Sequence, residues 1–562
     1  MKRFQRLVQF VSFGIFLFLL VWAAYPETRE APVDAFLRID PIIALTTLIA
    51  SREFQTGFIW AAIVLISGFF IGRAFCGYVC PMGSTIDLFQ SLIYPKSKLR
   101  VTRAGYEANR GRRSLKYYVL ALVVCAAIGG VSLAFLVAPV SLATRFWGLV
   151  IYPVTLWIAD LGLDLATPLH QYFPDLAYIQ ISRRVFATNM FIAGFIVFVS
   201  ALAVKGPRFW CSYLCPAGAM ISLFSKRPLV HRSVNSSCTE CGKCVRNCPM
   251  AAIGEDPHST AHRECLLCLR CKDLCPANAI SFYPNNETLK TEPFTPDLTR
   301  RAMLLSAVSG FGVASLFGTG WNEPRLLGQE RAVTPADLIR PPGAMPERTF
   351  LRLCVRCGLC MKACATNTLQ PIWFKSGVEG LFSPSLVPRL AACAVNCAVC
   401  GSVCPTGAIR KLPIEEKIQA KIGTAWIDRQ NCLVWNRDKK CLVCGEVCPY
   451  HAISFQPASG RRNGVPVVHS NRCCGCGWCE NKCPVEGVGA IKVSVVGELR
   501  LASGSYIEKA KEYGLEFKVA DKKFDKLAPD TFESSGIDEG GDPPEKNVSP
   551  KQEQLPAGIL DE

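Results

Sequence analysis

Six tight runs of four cysteines constrain this chain more than any other feature, because thiols spaced three residues apart can serve few purposes. CTECGKCVRNCP places Cys238, Cys241, Cys244 and Cys248 before Pro249, and CLLCLRCKDLCP places Cys265, Cys268, Cys271 and Cys275 before Pro276. CVRCGLCMKAC gives Cys354, Cys357, Cys360 and Cys364, with Ala365 where the other runs carry proline. CAVNCAVCGSVCP gives Cys393, Cys397, Cys400 and Cys404, with one residue inserted in the first spacing. The last two runs are Cys432, Cys441, Cys444 and Cys448, with a long first gap, and Cys473, Cys476, Cys479 and Cys483. Cys474 is surplus and is an alternative to Cys473. These runs use 24 of the 30 cysteines in 562 residues, too long a chain for a small disulfide scaffold. Residues three apart in a tight turn also make poor disulfides. Zinc ribbons would use C-x2-C pairs about 15 to 20 residues apart and need neither a third thiolate nor a trailing proline.

The spacing C-x2-C-x2-C-x3-C-P resembles that of bacterial two-cluster ferredoxins, where three thiolates of one run and the fourth of its partner hold each 4Fe-4S cluster. Applied here, the pattern expects six clusters: Cys238, Cys241, Cys244 with Cys275; Cys265, Cys268, Cys271 with Cys248; Cys354, Cys357, Cys360 with Cys404; Cys393, Cys397, Cys400 with Cys364; Cys432, Cys441, Cys444 with Cys483; and Cys473, Cys476, Cys479 with Cys448. No haem is expected. The sequence has no C-x-x-C-H, and His170 is the one histidine before residue 231.

Apolar runs at residues 8–24, 57–75, 117–138 and 185–204 are each long enough to read as a membrane span. The first is read as an anchor rather than a cleaved signal, since no small-residue cleavage pattern follows it. Residues 41–50 are too short to cross, and residues 146–158 are interrupted by Pro153, so both are expected to be interfacial or re-entrant. Residues 81–116 hold eight basic against two acidic residues, whereas residues 25–56 hold three against five and residues 139–182 one against three. The basic loops, and with them residues 205–301, are therefore expected in the cytoplasm. Much of the excess of 62 Lys and Arg over 45 Asp and Glu is thus topological, which argues against a nucleic-acid partner. The Arg300-Arg301 pair before a Gly- and Ala-rich apolar stretch ending at Gly320 looks like a twin-arginine export signal or a fifth span. The alternative is a buried helix of a soluble domain.

The expected architecture is an α-helical membrane domain plus α+β bacterial-ferredoxin-like modules built from three pairs of cluster motifs. Residues 1–230 form the membrane domain, 231–285 a cytoplasmic two-cluster domain, 299–320 the signal-like helix, 340–500 a four-cluster domain, and 503–562 an acidic tail with a short helix near Tyr506.

RAFCGYVCPMGSTIDLF from Arg73 and RFWCSYLCPAGAMISLF from Arg208 form an internal duplication. Cys76 and Cys80, like Cys211 and Cys215, stand at i and i+4 and would share one helical face. The four could hold a further metal centre, act as two dithiols, or simply pack as small reduced side chains. Cys125, alone in the third run, is expected in the core.

Residues 1–290 resemble the membrane ferredoxins of the NapH type, which serve quinol-oxidising modules of periplasmic nitrate reductases. Residues 299 to about 495, with RPPGAMPERTFLRLCVRCGLC from Arg340, resemble their exported four-cluster partners of the NapG type, and methylamine-utilisation ferredoxins are related. The resemblance implies a fusion of the two: a polyferredoxin of the bacterial inner membrane carrying electrons from the quinone pool to a periplasmic reductase or cytochrome. Lys243, Arg246, Arg263, Arg270 and Lys272, inside the first pair of runs, would favour a reduced cluster or an acidic partner, or else be plain solvated surface. Asp160, Asp164 and His170 are candidate proton acceptors for quinol oxidation. Two other readings are a metal-reducing assembly factor, which should end in a cysteine-poor domain, and a redox-sensing regulator, which should carry a further sensory domain.

Overall fold

The structure is a computed structural model that describes residues 2–25, 32–53, 55–93, 111–165, 181, 183–202, 208–226, 228–254, 256–283, 298–318 and 337–519. His170 and most of the acidic tail lie outside the described residues; the short tail helix is present as Tyr506–Glu512.

Outside the cysteine-rich residues 231–283, the described residues up to 318 are chiefly helical, with α1 (Lys2–Trp22), α2 (Pro41–Ser51), α3 (Ile59–Ile71), α4 (Leu115–Ile128), α5 (Asn189–Ala201) and α6 (Arg300–Gly318). Two described helical runs, Phe4–Trp22 and Pro139–Leu165, are long and apolar enough to cross a membrane by length and composition, and α2, Thr56–Ile71, α4 and α5 are shorter apolar helices. Pro153 does not interrupt its run as expected. A π-turn at Trp147–Ile151 precedes Tyr152–Leu165, so the proline falls at the second position of that segment, where its missing N–H costs little. The contacts of this run at Val140, Ser141 and Arg145 are with Asp40, Val355 and Arg356.

Local chemistry fixes several helix ends. Asp40 caps α2 by accepting the Ile42 N–H at 3.1 Å, with Pro41 in the first turn, and its other oxygen accepts the Val140 N–H at 3.2 Å. α6 lies along α4 with their N-terminal ends together, since Thr299 N–H donates to Tyr118 Oη at 3.1 Å and Ala314 packs on Gly129. Ser306, Gly310 and Ala314 form a small-residue stripe at i, i+4 and i+8 that permits this approach. A Cβ on Gly310 would stand 2.5 Å from Leu122 O and 2.9 Å from Cys125 Cβ, so Cys125 belongs to this seam.

Two cysteine-rich bodies cap the helices. The smaller, residues 231–283, closes on the antiparallel pair β1 (His231–Val234) and β2 (Ile280–Tyr283). The larger, residues 337–519, contains β3 (Leu369–Pro371) paired with β4 (Pro384–Leu386), β5 (Thr424–Ile427) with β8 (Ile491–Ser494), and β6 (Ile453–Gln456) with β7 (Val465–Val468). They sit at opposite ends of α1. Near its start Gln5 and Gln9 bond Gly77 O and Asp87, beside the smaller body, whereas at its other end Val21 O and Ala23 O accept from Lys362 of the larger. α4 repeats the arrangement: Lys116 pairs with Glu264 at one end, and beyond the other Ser132 O accepts from Arg356 at 3.2 Å.

Candidate metal centres

The geometry gathers cysteines from the runs into groups of neighbours. One cavity in the smaller body is lined by Cys248, Cys265, Cys268 and Cys271, and a second by Cys238, Cys241, Cys244 and Cys275. In the larger body burial, then Cys357, Cys354 and Cys404, push the Cys360 thiol well up, and burial, then Cys397, Cys393 and Cys364, do the same to Cys400. Cys444 is pushed up to about 12 by burial, then by Cys441, Cys432 and Cys483. Cys448, Cys473, Cys474, Cys476 and Cys479 line a further cavity. Four thiols packed this way resist ionising together unless a positive centre lies among them. Among the described residues no three Cys, His, Asp or Glu close on a single-ion site. A zinc site would need thiolates about 2.3 Å from one point, whereas a multi-iron core needs them spread around it.

The backbone is shaped for such a core. Glu240, Leu267 and Arg356, each just before the second cysteine of its run, hold φ of 52°, 51° and 48°, and Gly475 takes 84° at the same place. Gly242, Leu269, Gly358 and Gly477, just after that cysteine, are left-handed as well. Left-handed non-glycine residues are costly, and their recurrence at one motif position marks a loop whose N–H groups are aimed inward. The runs of Cys393 and Cys432, the two with irregular spacing, lack these left-handed residues. The fourth cysteine of five runs accepts a backbone N–H on sulfur: Cys248 from Ala252 (3.3 Å), Cys275 from Ala279 (3.4 Å), Cys404 from Ile409 (3.5 Å), Cys448 from Ala452 (3.3 Å) and Cys483 from Ala490 (3.4 Å). Such bonds favour the thiolate ligand and tune its basicity. Cys473 accepts from Ala425 at 3.4 Å in the same manner, while Cys474 interacts with Tyr450 and Cys476.

The four sets of the larger body follow one another. The Cys354 and Cys393 sets share crossed runs, Cys393 N–H donates to Cys476 O at 2.8 Å, and the Cys473 and Cys432 sets share crossed runs again. The Cys354 set faces the helices through Ser141 and Arg145.

Buried cations beside the thiols escape the motif pattern. Arg232 lines both cavities of the smaller body, with Nη2 3.7 Å from Cys244 Sγ and Nη1 bonding Thr260 at 2.7 Å. Lys417 caps Ala394 O and Val395 O beside the Cys393 set. Of the cations singled out from sequence, Arg246 bonds Cys241 O at 3.1 Å and Arg270 lines the Cys265 cavity. Asp160 is ion-paired with the exposed Arg183 at 2.5 Å. Cys76, Cys80, Cys211 and Cys215 are all buried in one apolar core at the inner end of the smaller body.

The sequence family described as "4Fe-4S binding domain" matches residues 54–100, 187–235 and 392–423, and that described as "4Fe-4S dicluster domain" matches residues 439–487. Among similar proteins, the methylamine utilization ferredoxin-type protein MauM of Paracoccus denitrificans is 40% identical over 203 residues, covering 35% of this chain and 87% of MauM. The ferredoxin-type protein NapG of Escherichia coli is 35% identical over 206 residues, covering 35% of this chain and 86% of NapG. NapG of Haemophilus influenzae is 31% identical over 200 residues, covering 34% of this chain and 68% of its own length.

Proposed function

Since this chain belongs to the family of ferredoxin-type iron–sulfur proteins that includes MauM and NapG, we propose that it is a membrane-spanning polyferredoxin that takes electrons from quinol and delivers them to a periplasmic reductase or cytochrome. In this reading a NapH-type membrane half is fused to a NapG-type half, and each of the six crossed thiol sets holds one 4Fe-4S cluster. When bound, the clusters supply one-electron transfer. The chain's own residues hold the sets in order, shield them from water, and place Arg232, Lys417, Arg145 and Arg356 where added negative charge is offset.

The observation that carries the reading is the placement of the two bodies. From Gln5 to Trp22 is about 26 Å along helix α1, close to the hydrocarbon thickness of a bilayer. Between those ends the helices expose large apolar side chains, among them Phe10, Ile63, Phe69, Val197, Phe198, Leu305 and Val308, as lipid-facing helices do. α1, α3, α4, α5 and α6 are the proposed spans. The basic loops favour a cytoplasmic smaller body, and Arg300-Arg301 at the start of α6 would direct the larger, already folded, to the periplasm.

The test is quinol-dependent reduction. In anaerobic membranes holding the full chain, duroquinol should bleach the visible iron–sulfur absorbance. Bleaching by dithionite but never by quinol would remove quinol as donor.

A further inference from the structure

The paired C-x3-C-P motifs are the one cysteine constellation that the six ferredoxin sets leave unused. The two copies meet through reciprocal contacts. Arg73 of the first donates Nη2–H to Cys211 O of the second at 3.0 Å, and Arg208 of the second donates Nη1–H to Cys76 O of the first at 3.1 Å. A glycine at the same place in both copies allows this contact: a Cβ on Gly83 would stand 2.8 Å from Cys76 O, and one on Gly218 would collide with Arg73 Nη2. Cys80 and Cys215 immediately precede the helices Pro81–Ile93 and Pro216–Phe224, and Gly218 N–H donates to Cys215 Sγ at 3.3 Å as Gly83 N–H does to Cys80. All four thiols are buried, at 9%, 7%, 7% and 5% exposure for Cys76, Cys80, Cys211 and Cys215.

Charge points the same way. Arg73 and Lys116, both fully buried, meet a single carboxylate, Glu264. Arg73 Nε has no hydrogen-bond partner, and the guanidinium lies in electrostatic range of Cys76, Cys215 and Cys211. A net negative centre among these thiols would complete the balance, as four thiolates around an iron–sulfur core provide.

We propose that the two C-x3-C-P copies jointly hold a seventh iron–sulfur cluster, with Cys76 and Cys80 supplying one half of its ligands and Cys211 and Cys215 the other. The two segments matching the 4Fe-4S binding family, residues 54–100 and 187–235, contain only these two cysteines each. A cluster takes four thiolates, so each segment is half a site. The site abuts the Cys265 set: Tyr78 Oη donates to Leu267 O at 2.7 Å, Ser212 contacts Met250 Sδ at 3.6 Å, and Glu264 precedes Cys265. The inference rests on the electron-carrier reading for its role alone, and the six ferredoxin sets serve as its internal standard.

The full chain, purified anaerobically, should contain about 28 iron and 28 sulfide rather than about 24 of each, at four per cluster. Cys80→Ser, Cys215→Ser and the double variant should each lose the same single cluster, about four iron, while Cys125→Ser loses none. Mössbauer spectra should show the six ferredoxin clusters retained. Unchanged iron in the double variant, or a disulfide between these cysteines in the iron-replete protein, would overturn the proposal; a double loss twice that of either single variant would overturn the shared site. If the variants fail to accumulate, iron anomalous scattering from the wild-type chain decides, with density between Arg73 and Arg208 expected and its absence contradicting the proposal. Loss of iron from the ferredoxin sets as well would count against the carrier reading itself.

Discussion

The two cluster-bearing bodies use one cysteine grammar in different surroundings. In the smaller, Cys241 is exposed and the other seven run cysteines are half-buried, and one arginine, Arg232, serves both cavities. In the larger, Cys354, Cys357, Cys432, Cys448, Cys473 and Cys479 are buried, and separate cations accompany successive sets: Arg145 and Arg356, then Lys417, then Lys421. The motif fixes ligand identity, while the packing around it sets access and charge. The smaller body is thus open at one set, and the larger encloses part of each of several sets.

The largest expected effect breaks one body and spares the other. Cys248→Ser should cost the cluster of Cys265, Cys268 and Cys271 rather than that of its own run, about four iron per chain. Spectra of the larger body should be unchanged, and survival of the Cys265 cluster would refute the crossed pairing.

Next is the buried carboxylate that ties the smaller body to the helices. Glu264→Gln leaves Arg73 and Lys116 buried without their counter-charge, a loss on the order of 3–5 kcal/mol. Thermal unfolding in detergent should show the smaller body released well before the larger.

Acid should separate the bodies by pH. His262 is lowered to about 4 by burial, with His231 and Arg232 adding to it. Its neutral form therefore stabilises the smaller body above about pH 6.5, and that contribution is lost as pH falls through about 4. Glu347 of the larger body is held down to about 2, because Arg340 and Arg500 outweigh the upward push of burial. Its contribution, on the order of 3 kcal/mol, is present above about pH 4.5 and is lost only toward pH 2. Pulse proteolysis across this range should cut the smaller body first; simultaneous loss would contradict the contrast.

The smallest effect concerns the connection between the bodies. Gly310→Ala should loosen α6 from α4 by about 1–3 kcal/mol, through contact with Leu122 O and Cys125, while leaving both cluster spectra intact. Cross-linking between cysteines introduced along the two helices would report it.

The cysteine runs made the groupings of neighbouring thiols legible, since spacing in a tight turn is itself the geometry. The apolar runs located most helices, but their ends depended on glycines and caps, as where α4 stops before Gly129. The helix through Pro153 was not legible because a π-turn, which leaves no residue signature, accommodates the proline. Arg232, Lys417 and the Glu264 cluster were also hidden. Glu264 meets Arg73 and Lys116 across separations of 191 and 148 residues, and a charged side chain carries no sign of whether it will be buried. The left-handed Glu240, Leu267 and Arg356 show the converse, a strained backbone at residue types that do not announce it.

The claim that the two bodies form one conductor across a membrane is tested most directly in sealed proteoliposomes containing the full chain, with ferricyanide trapped inside and dithionite added outside. Reduction of the trapped ferricyanide is predicted, at a rate that falls sharply in Cys364→Ser, whose loss interrupts the row of sets in the larger body. Clusters that all bleach while the interior ferricyanide stays oxidised would place both bodies on the same side and contradict the account.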